Sequence, residues 1–254
     1  MKLTDNTILI TGGGSGIGLG LAQAFQALGN KVIVATRSAQ RLGAAKAAGF
    51  PAYEVDMTKP ASIAAMAKQV LKEHPALNAV IQNAGIMQAE DLKKGDSQQV
   101  IDDTIFTNLI APMHLNNALI PHLLKKDTGF IMTVTSGLAF MPMAMFPTYC
   151  ATKAAVHSYS QSLRYQLKGT PIQVIELAPP YVQTPLTGAH QESDPNAMPL
   201  NDFIKEVMAI LKNKPDVKEV LVERVNFLRL AEGKGVDNYY TQFDAFNDQM
   251  SGAR

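Results

Sequence analysis

Short apolar, β-branched runs alternate along the chain with longer stretches whose apolar positions recur every three to four residues, the pattern of strands interleaved with amphipathic helices. Thr7 to Thr11, Lys31 to Ala35, Tyr53 to Val55, Ala79 to Gln82, Phe130 to Thr135, Ile172 to Leu177 and Glu219 to Val222 read as strands. After the first of them, Ile17, Leu21, Ala24, Phe25 and Leu28 mark one face of a helix; Ser97 to Leu124 and Thr148 to about Leu167 are further helical stretches. This alternation predicts an α/β fold of six βα repeats and a short last strand. The sheet is expected to be doubly wound, mostly parallel and seven-stranded, with helices on both faces. One domain over residues 1–254 accommodates all of it, with no linker or low-complexity segment.

Composition removes several classes of function. A net charge of +1 gives no footprint for nucleic acid or an anionic membrane. No apolar stretch reaches membrane-spanning length, and Met1 to Asn6 lacks the apolar core of a signal peptide. A cytoplasmic protein is expected. Its single cysteine, Cys150, suits a reducing compartment and reads as a small packed residue or an oxidation liability beside Tyr149. The five histidines show no metal-ligand spacing, so no metal is expected. His157, four residues past Lys153, reads as a packed or surface residue.

Two motifs carry candidate chemistry. Thr11-Gly12-Gly13-Gly14-Ser15-Gly16-Ile17-Gly18 joins the first strand to the first helix. Glycines there permit positive φ and let backbone N–H groups approach a phosphate, to which the helix start adds partial positive charge. In the second motif, Tyr149-Cys150-Ala151-Thr152-Lys153, Tyr149 is the only one of seven tyrosines with a lysine four residues on, which puts both on one helix face. Ser136 ends the fifth strand, on the side of an open α/β sheet where ligands bind, so Ser136, Tyr149 and Lys153 converge on a cofactor held by the glycine turn. An ammonium at roughly 5 Å and an effective dielectric near 20 contributes about 3 kcal/mol, or about two pKa units toward phenolate. Tyr149 is assigned as the proton donor to a substrate oxygen and Ser136 as a hydrogen-bond partner of that oxygen.

The TGxxxGxG spacing together with YxxxK resembles the short-chain dehydrogenase/reductase family. That resemblance implies a single Rossmann domain, a nicotinamide cofactor and reversible reduction of a ketone or aldehyde to an alcohol. It places Gly12, Gly14, Ser15, Gly16, Ile17 and Gly18 against the cofactor, Asn83-Ala84-Gly85 beside its adenosine half, and Asp56 with Met57 near adenine. Asn108 corresponds to the asparagine that holds a water linking the lysine to solvent. On the residues alone, Asp56 is equally a helix cap and Asn108 a helix-bending polar residue. Where NAD-binding chains carry an acidic residue after the second strand, this one reads Thr36-Arg37-Ser38. Arg37 and Ser38 would therefore meet a 2′-phosphate, and NADP(H) is expected. Arg41, one helical turn further on, either assists Arg37 or is a solvated surface charge, and the second reading is preferred. Pro179-Pro180 stands where the family has Pro-Gly; Pro179, Val182 and Thr184 still fall in place to hold the nicotinamide, with Thr184 capping the next helix.

Leu138 to Phe146 is apolar and methionine-rich. It forms either the substrate wall, suiting an apolar or aromatic group, or core and subunit packing. Residues 181–200 stand where the family carries its mobile substrate lid. Met1 to Thr4, Thr135 to Phe140, Tyr149 to Ala155, Ala178-Pro179-Pro180 and Val222 to Val225 together extend the resemblance to the DltE-like bacterial subgroup. Family members associate through long flanking helices, here 97–124 and 148–167, so a homodimer or homotetramer is expected. An NADP-binding redox sensor is the alternative reading, against which stands the complete catalytic set. A nucleotide-sugar epimerase or dehydratase would need a larger C-terminal domain than the short tail after Val222.

Overall fold

The computed structural model describes residues 1–252. β1 (Thr7–Thr11), β2 (Lys31–Thr36), β3 (Ala52–Glu54), β4 (Ala79–Gln82), β5 (Gly129–Val134), β6 (Ile172–Leu177) and β7 (Glu219–Val220) form one parallel sheet in the order β3-β2-β1-β4-β5-β6-β7. The central strands are apolar at consecutive positions because helices cover both faces. Ile8, Ile10 and Ile81 pack with Leu21 and Phe25 of α1 (Gly16–Ala27) and Phe203 and Val207 of α8 (Leu200–Asn213). Leu9, Val80 and Ile131 face the other way, onto α3 (Pro60–Glu73), α5 (Ala111–Leu123) and α6 (Pro147–Gln166). The fold is a single doubly wound Rossmann-like domain, as the alternation predicts. The remaining helices are α2 (Ala39–Ala47), α4 (Gln98–Ile105), α7 (Ala189–Ser193), α9 (Asn226–Arg229) and α10 (Val236–Gly252). Among the described residues no helix is long and apolar enough to cross a membrane.

Two features differ from the sequence expectation, and a third, the C-terminal tail, adds to it. The helical stretch from Ser97 to Leu124 is broken by a π-helical turn at Phe106–Ile110. Pro112 has no N–H for the Asn108 carbonyl four residues back, so the α-helical ladder must open there. β7 is two residues shorter than predicted, because Val222 leaves the ladder and begins a 3₁₀ turn at Glu223–Val225 while staying fully buried. The tail after Val222 forms α9 and α10. In α10, Tyr239, Phe243 and Phe246 make an apolar stripe that packs under Leu138 and Met141.

Candidate active site

Strand order reverses between β1 and β4, and two adjoining clefts open there above the carboxyl ends of the strands. The larger is lined from the glycine turn by Gly12, Ser15, Gly16 and Ile17. Gly12 and Gly16 have φ of +66° and +51°, values that disfavour any side chain. A Cβ at Gly12 would lie 2.9 Å from the Ala84 Cα, and one at Gly18 2.4 Å from both the Gly12 carbonyl oxygen and Asn83 Nδ2. Gly14 and Gly18 line neither cleft: Gly14 lies against Arg41, whose Cβ would be 2.8 Å from a Cβ there, and Gly18 is a packing position. The turn after β4 is pinned to this one by Thr11, whose hydroxyl accepts from the Asn83 and Ala84 amides at 3.2 Å. Asn83 Nδ2 donates in return to the carbonyls of Thr11 and Gly12. Asn83, Ala84 and Gly85 all border the larger cleft.

The second cleft shares Gly12, Ala84, Gly85 and Arg41 with the first, and Arg37, Ser38, Asp56 and Met57 line it. Arg41 is therefore an exposed wall residue of both clefts, a solvated charge that stands beside Arg37. Ser38 Oγ accepts from the Arg41 amide and so starts α2 at the point that aims Arg41 back across Gly14. Asp56 lines the cleft but caps no helix, because α3 begins only at Pro60 after Lys59; its Oδ1 instead accepts from the Thr58 hydroxyl at 2.7 Å and the Thr58 amide at 3.0 Å within the preceding turn. Those bonds, with Lys59 at 3.3 Å, hold its carboxyl below the usual range.

Ser136, Tyr149 and Lys153 meet on the larger cleft. Glu90, from the loop after β4, clamps the start of α6, which carries Tyr149 and Lys153, by accepting from the Thr148 amide at 3.1 Å and hydroxyl at 2.9 Å. Lys153 Nζ donates to the Val134 carbonyl at 2.8 Å and stands 5.5 Å from the Tyr149 ring centre. The expected drop in the phenol pKa is reversed: burial pushes Tyr149 well above its ordinary value, opposed by the Ser136 hydroxyl. Burial also brings Lys153 down, to about 8. Tyr149 is consequently held as the neutral phenol, the proton-donating form.

Asn108 lies behind the cleft rather than in it. Its Oδ1 accepts from the Ile86 amide and its Nδ2 donates to the Ile86 carbonyl, both at 2.9 Å, and to Thr152 Oγ1 at 3.3 Å. The side chain is thus committed to holding the loop after Gly85. Asn108 itself lies within the π turn, and Pro112 denies its backbone carbonyl the α-helical donor four residues on.

Pro179, Val182 and Thr184 line the larger cleft, and the Pro179 carbonyl accepts from the Gly137 amide at 2.9 Å. Thr184 caps no helix, because α7 begins only at Ala189; its hydroxyl instead accepts from Gln191 Nε2 at 3.0 Å. The same Gln191 amide donates to the Val182 carbonyl, and Val182 bridges to Met198, so residues 181–200 are tied down at several points. The 138–146 segment divides between its two readings. Phe140, Met141 and Met143 are buried, whereas Leu138, Met145 and Phe146 are half-buried beside Tyr149, together with Met87 and with Phe246 and Met250 of α10. Sequence reasoning missed this contribution of α10, although the helical spacing of Tyr239, Phe243, Phe246 and Met250 was there to be read. Cys150 is buried in the same cluster. His157 is packed against Glu176, and ligand atoms of His157, Glu176 and Glu219 lie within 4.8 Å of one another, a grouping invisible in the sequence spacing. Arg229 forks onto Glu219 and supplies this group with a cation of its own.

A family profile described as short chain dehydrogenase matches residues 6–195. The chain is 42% identical over 251 residues to the "Uncharacterized oxidoreductase DltE" of Bacillus subtilis (strain 168), covering 96% of this chain and 98% of that one. A short-chain dehydrogenase from Sphingobium yanoikuyae in complex with NADPH is 27% identical, with a TM-score of 0.77 over 91% of this chain and 93% of its own. One from Burkholderia phymatum in complex with NAD has a TM-score of 0.80 over 92% and 95% of the two chains; at 18% identity it is a likeness of fold alone. With the profile covering most of the chain, and the cleft bringing together Ser136, Tyr149 and Lys153, this chain belongs to the short-chain dehydrogenase family of oxidoreductases.

Proposed function

We propose that the protein is an NADPH-dependent reductase of ketones or aldehydes, reversible with secondary alcohols. The observation that carries this reading is Tyr149, a buried, protonated phenol beside Ser136 and Lys153 in the cleft that the glycine turn walls. The residues fit a phosphorylated dinucleotide: Gly12 and Gly16 take positive φ and present backbone where a side chain would be strained, and Arg37 and Arg41 line the adjoining cleft. A guanidinium on a 2′-phosphate makes charge-assisted hydrogen bonds worth roughly 1.5 to 3 kcal/mol, which favours NADP(H) over NAD(H).

When bound, the cofactor supplies a hydride to the carbonyl carbon. Tyr149 donates its proton to the carbonyl oxygen as charge develops there, and the Ser136 hydroxyl donates a hydrogen bond to that oxygen. Lys153, charged below about pH 8, favours the phenolate that remains. Half-buried Leu138, Met145 and Phe146 give the substrate side an apolar, adaptable surface, suited to a nonpolar or aromatic group.

The reading is tested by following NADPH oxidation, with NADH in parallel, against aromatic and aliphatic ketones. Wild type turns over with NADPH, and Tyr149→Phe loses about 10² to 10⁴ in kcat/KM while binding NADPH within a few-fold of wild type. Tight NADPH binding with no turnover of any carbonyl would instead make the protein a redox sensor.

A further inference from the structure

Glu176, on β6, is 0% exposed. A carboxylate taken wholly out of water is costly unless its oxygens are occupied, so its partners define its part in the fold. Thr135 Oγ1 donates to Oε1 at 2.7 Å, and His157 Nδ1 lies 3.0 and 2.8 Å from the two oxygens. Gln161 Nε2 donates to His157 Nε2 at 2.9 Å, which leaves Nδ1–H as the donor to Glu176, with the amide assigned in this orientation.

The two partners sit on the two elements that carry the reacting groups. Thr135 directly precedes Ser136, and His157 is one helical turn past Lys153 on α6. The same face of α6 is joined to β5 twice more, by Lys153 Nζ to the Val134 carbonyl and by Ser160 Oγ with Thr133 Oγ1 at 2.8 Å. Of these joints, the one through Glu176 is nearest in the chain to Ser136. The buried Phe140 ring packs edge-on to His157 at 4.8 Å, under the Arg229 guanidinium.

We propose that Glu176 is a positioning residue of the reaction: its buried carboxylate holds Thr135 and His157 together and thereby sets the spacing between Ser136 and Tyr149. The proposal rests on the reading of Ser136 and Tyr149 as the reacting pair. It predicts that loosening the joint impairs proton transfer more than binding.

The test compares wild type with Thr135→Val, which removes one hydroxyl at nearly constant shape, and Glu176→Gln. Tyr53→Phe is the control, removing a hydroxyl that bridges Glu73 and His74 away from the clefts. Thr135→Val is expected to lower kcat about tenfold, equivalent to about 1.4 kcal/mol, with KM and the NADPH Kd within about twofold. In alcohol oxidation, the acidic limb of the pH profile, which reports loss of the Tyr149 proton, is expected to move upward because Ser136 no longer holds its place. Tyr53→Phe lowers Tm and moves neither. Thr135→Val with wild-type kcat and an unmoved limb, only a lower Tm, overturns the proposal, whether or not Glu176→Gln folds. If wild type turns over no carbonyl, the reductase reading fails, and amide hydrogen exchange on the cofactor-free protein still decides this one. Faster exchange at Ser136–Ala139 and in the first turn of α6 in Thr135→Val supports the joint; unchanged exchange refutes it.

Discussion

On the glycine side of the larger cleft the walls are backbone, and on the substrate side they are flexible side chains. Gly12 and Gly18 stand so close to the turn after β4 that an added Cβ would fall within 3 Å of its atoms, and Thr11 and Asn83 lock the two turns together. Around Tyr149, by contrast, Met87, Leu138, Met145, Phe146, Phe246 and Met250 meet through sulfur, methyl and ring contacts with many alternatives of similar volume. A backbone wall fixes one shape, suited to one cofactor. A wall of thioethers and rings admits a range of shapes, suited to a substrate group recognised by apolarity.

Lys153 stands where the two sides meet, and its replacement is expected to have the largest combined effect on rate and stability. It titrates near 8 in the fold and near 10.5 as an ordinary lysine. Below pH 8 both folded and unfolded chains hold the proton, and burying the charge costs roughly 3 kcal/mol. Between pH 8 and 10.5 the folded chain releases a proton that the unfolded chain keeps, so the wild type regains that stability as pH rises. Lys153→Met removes the buried charge. We expect kcat to fall by about 10² or more, while Tm at pH 7 rises by about 5 °C, an advantage that shrinks toward pH 10. A Tm difference independent of pH would mean that Lys153 is not desolvated as its surroundings imply.

The next largest effect sharpens the contrast on the cofactor side. Arg37→Asp puts a carboxylate where the second cleft offers a guanidinium, and the NADPH-to-NADH ratio of kcat/KM is expected to fall by about a hundredfold. An unchanged ratio would sink the assignment to NADP(H).

How much of this was legible in the sequence follows from the same contrast. The glycine turn, Asn83-Ala84-Gly85 and the Tyr149–Lys153 pair could be read because close backbone approach and i,i+4 geometry admit few residue types. The strands stood out because parallel strands covered on both faces are apolar throughout. That Arg41 walls both clefts was not legible, because its place there depends on the path of α2 over Gly14, a tertiary fact with no local signature. The direction of the Tyr149 pKa was misjudged because spacing reveals the neighbouring lysine and conceals the depth of burial. Glu176 and Glu90 act across the fold, from β6 and from a loop, so no window of sequence holds either one together with its partners.

The smallest effect belongs to α10. Phe246 packs edge-on to Phe227 at 6.2 Å and joins both the cluster under Met141 and the one around Tyr149. Its removal therefore opens space on the substrate side while leaving the glycine turn untouched. Asn247 keeps the helix in place, since its Nδ2 still donates to the Pro142 carbonyl and its Oδ1 still accepts from the Ala144 amide. For Phe246→Ala we expect a loss of about 1 to 2 kcal/mol in stability, below the value for a fully buried ring because this one is only partly buried. KM for a bulky aromatic ketone should rise about three- to fivefold, with small aliphatic ketones and the NADPH Kd unchanged, because only the larger group reaches the lost ring. An equal loss across all ketones would place Phe246 in packing alone. The half-buried side chains of the 138–146 segment would then form the substrate wall without help from the C-terminal helix.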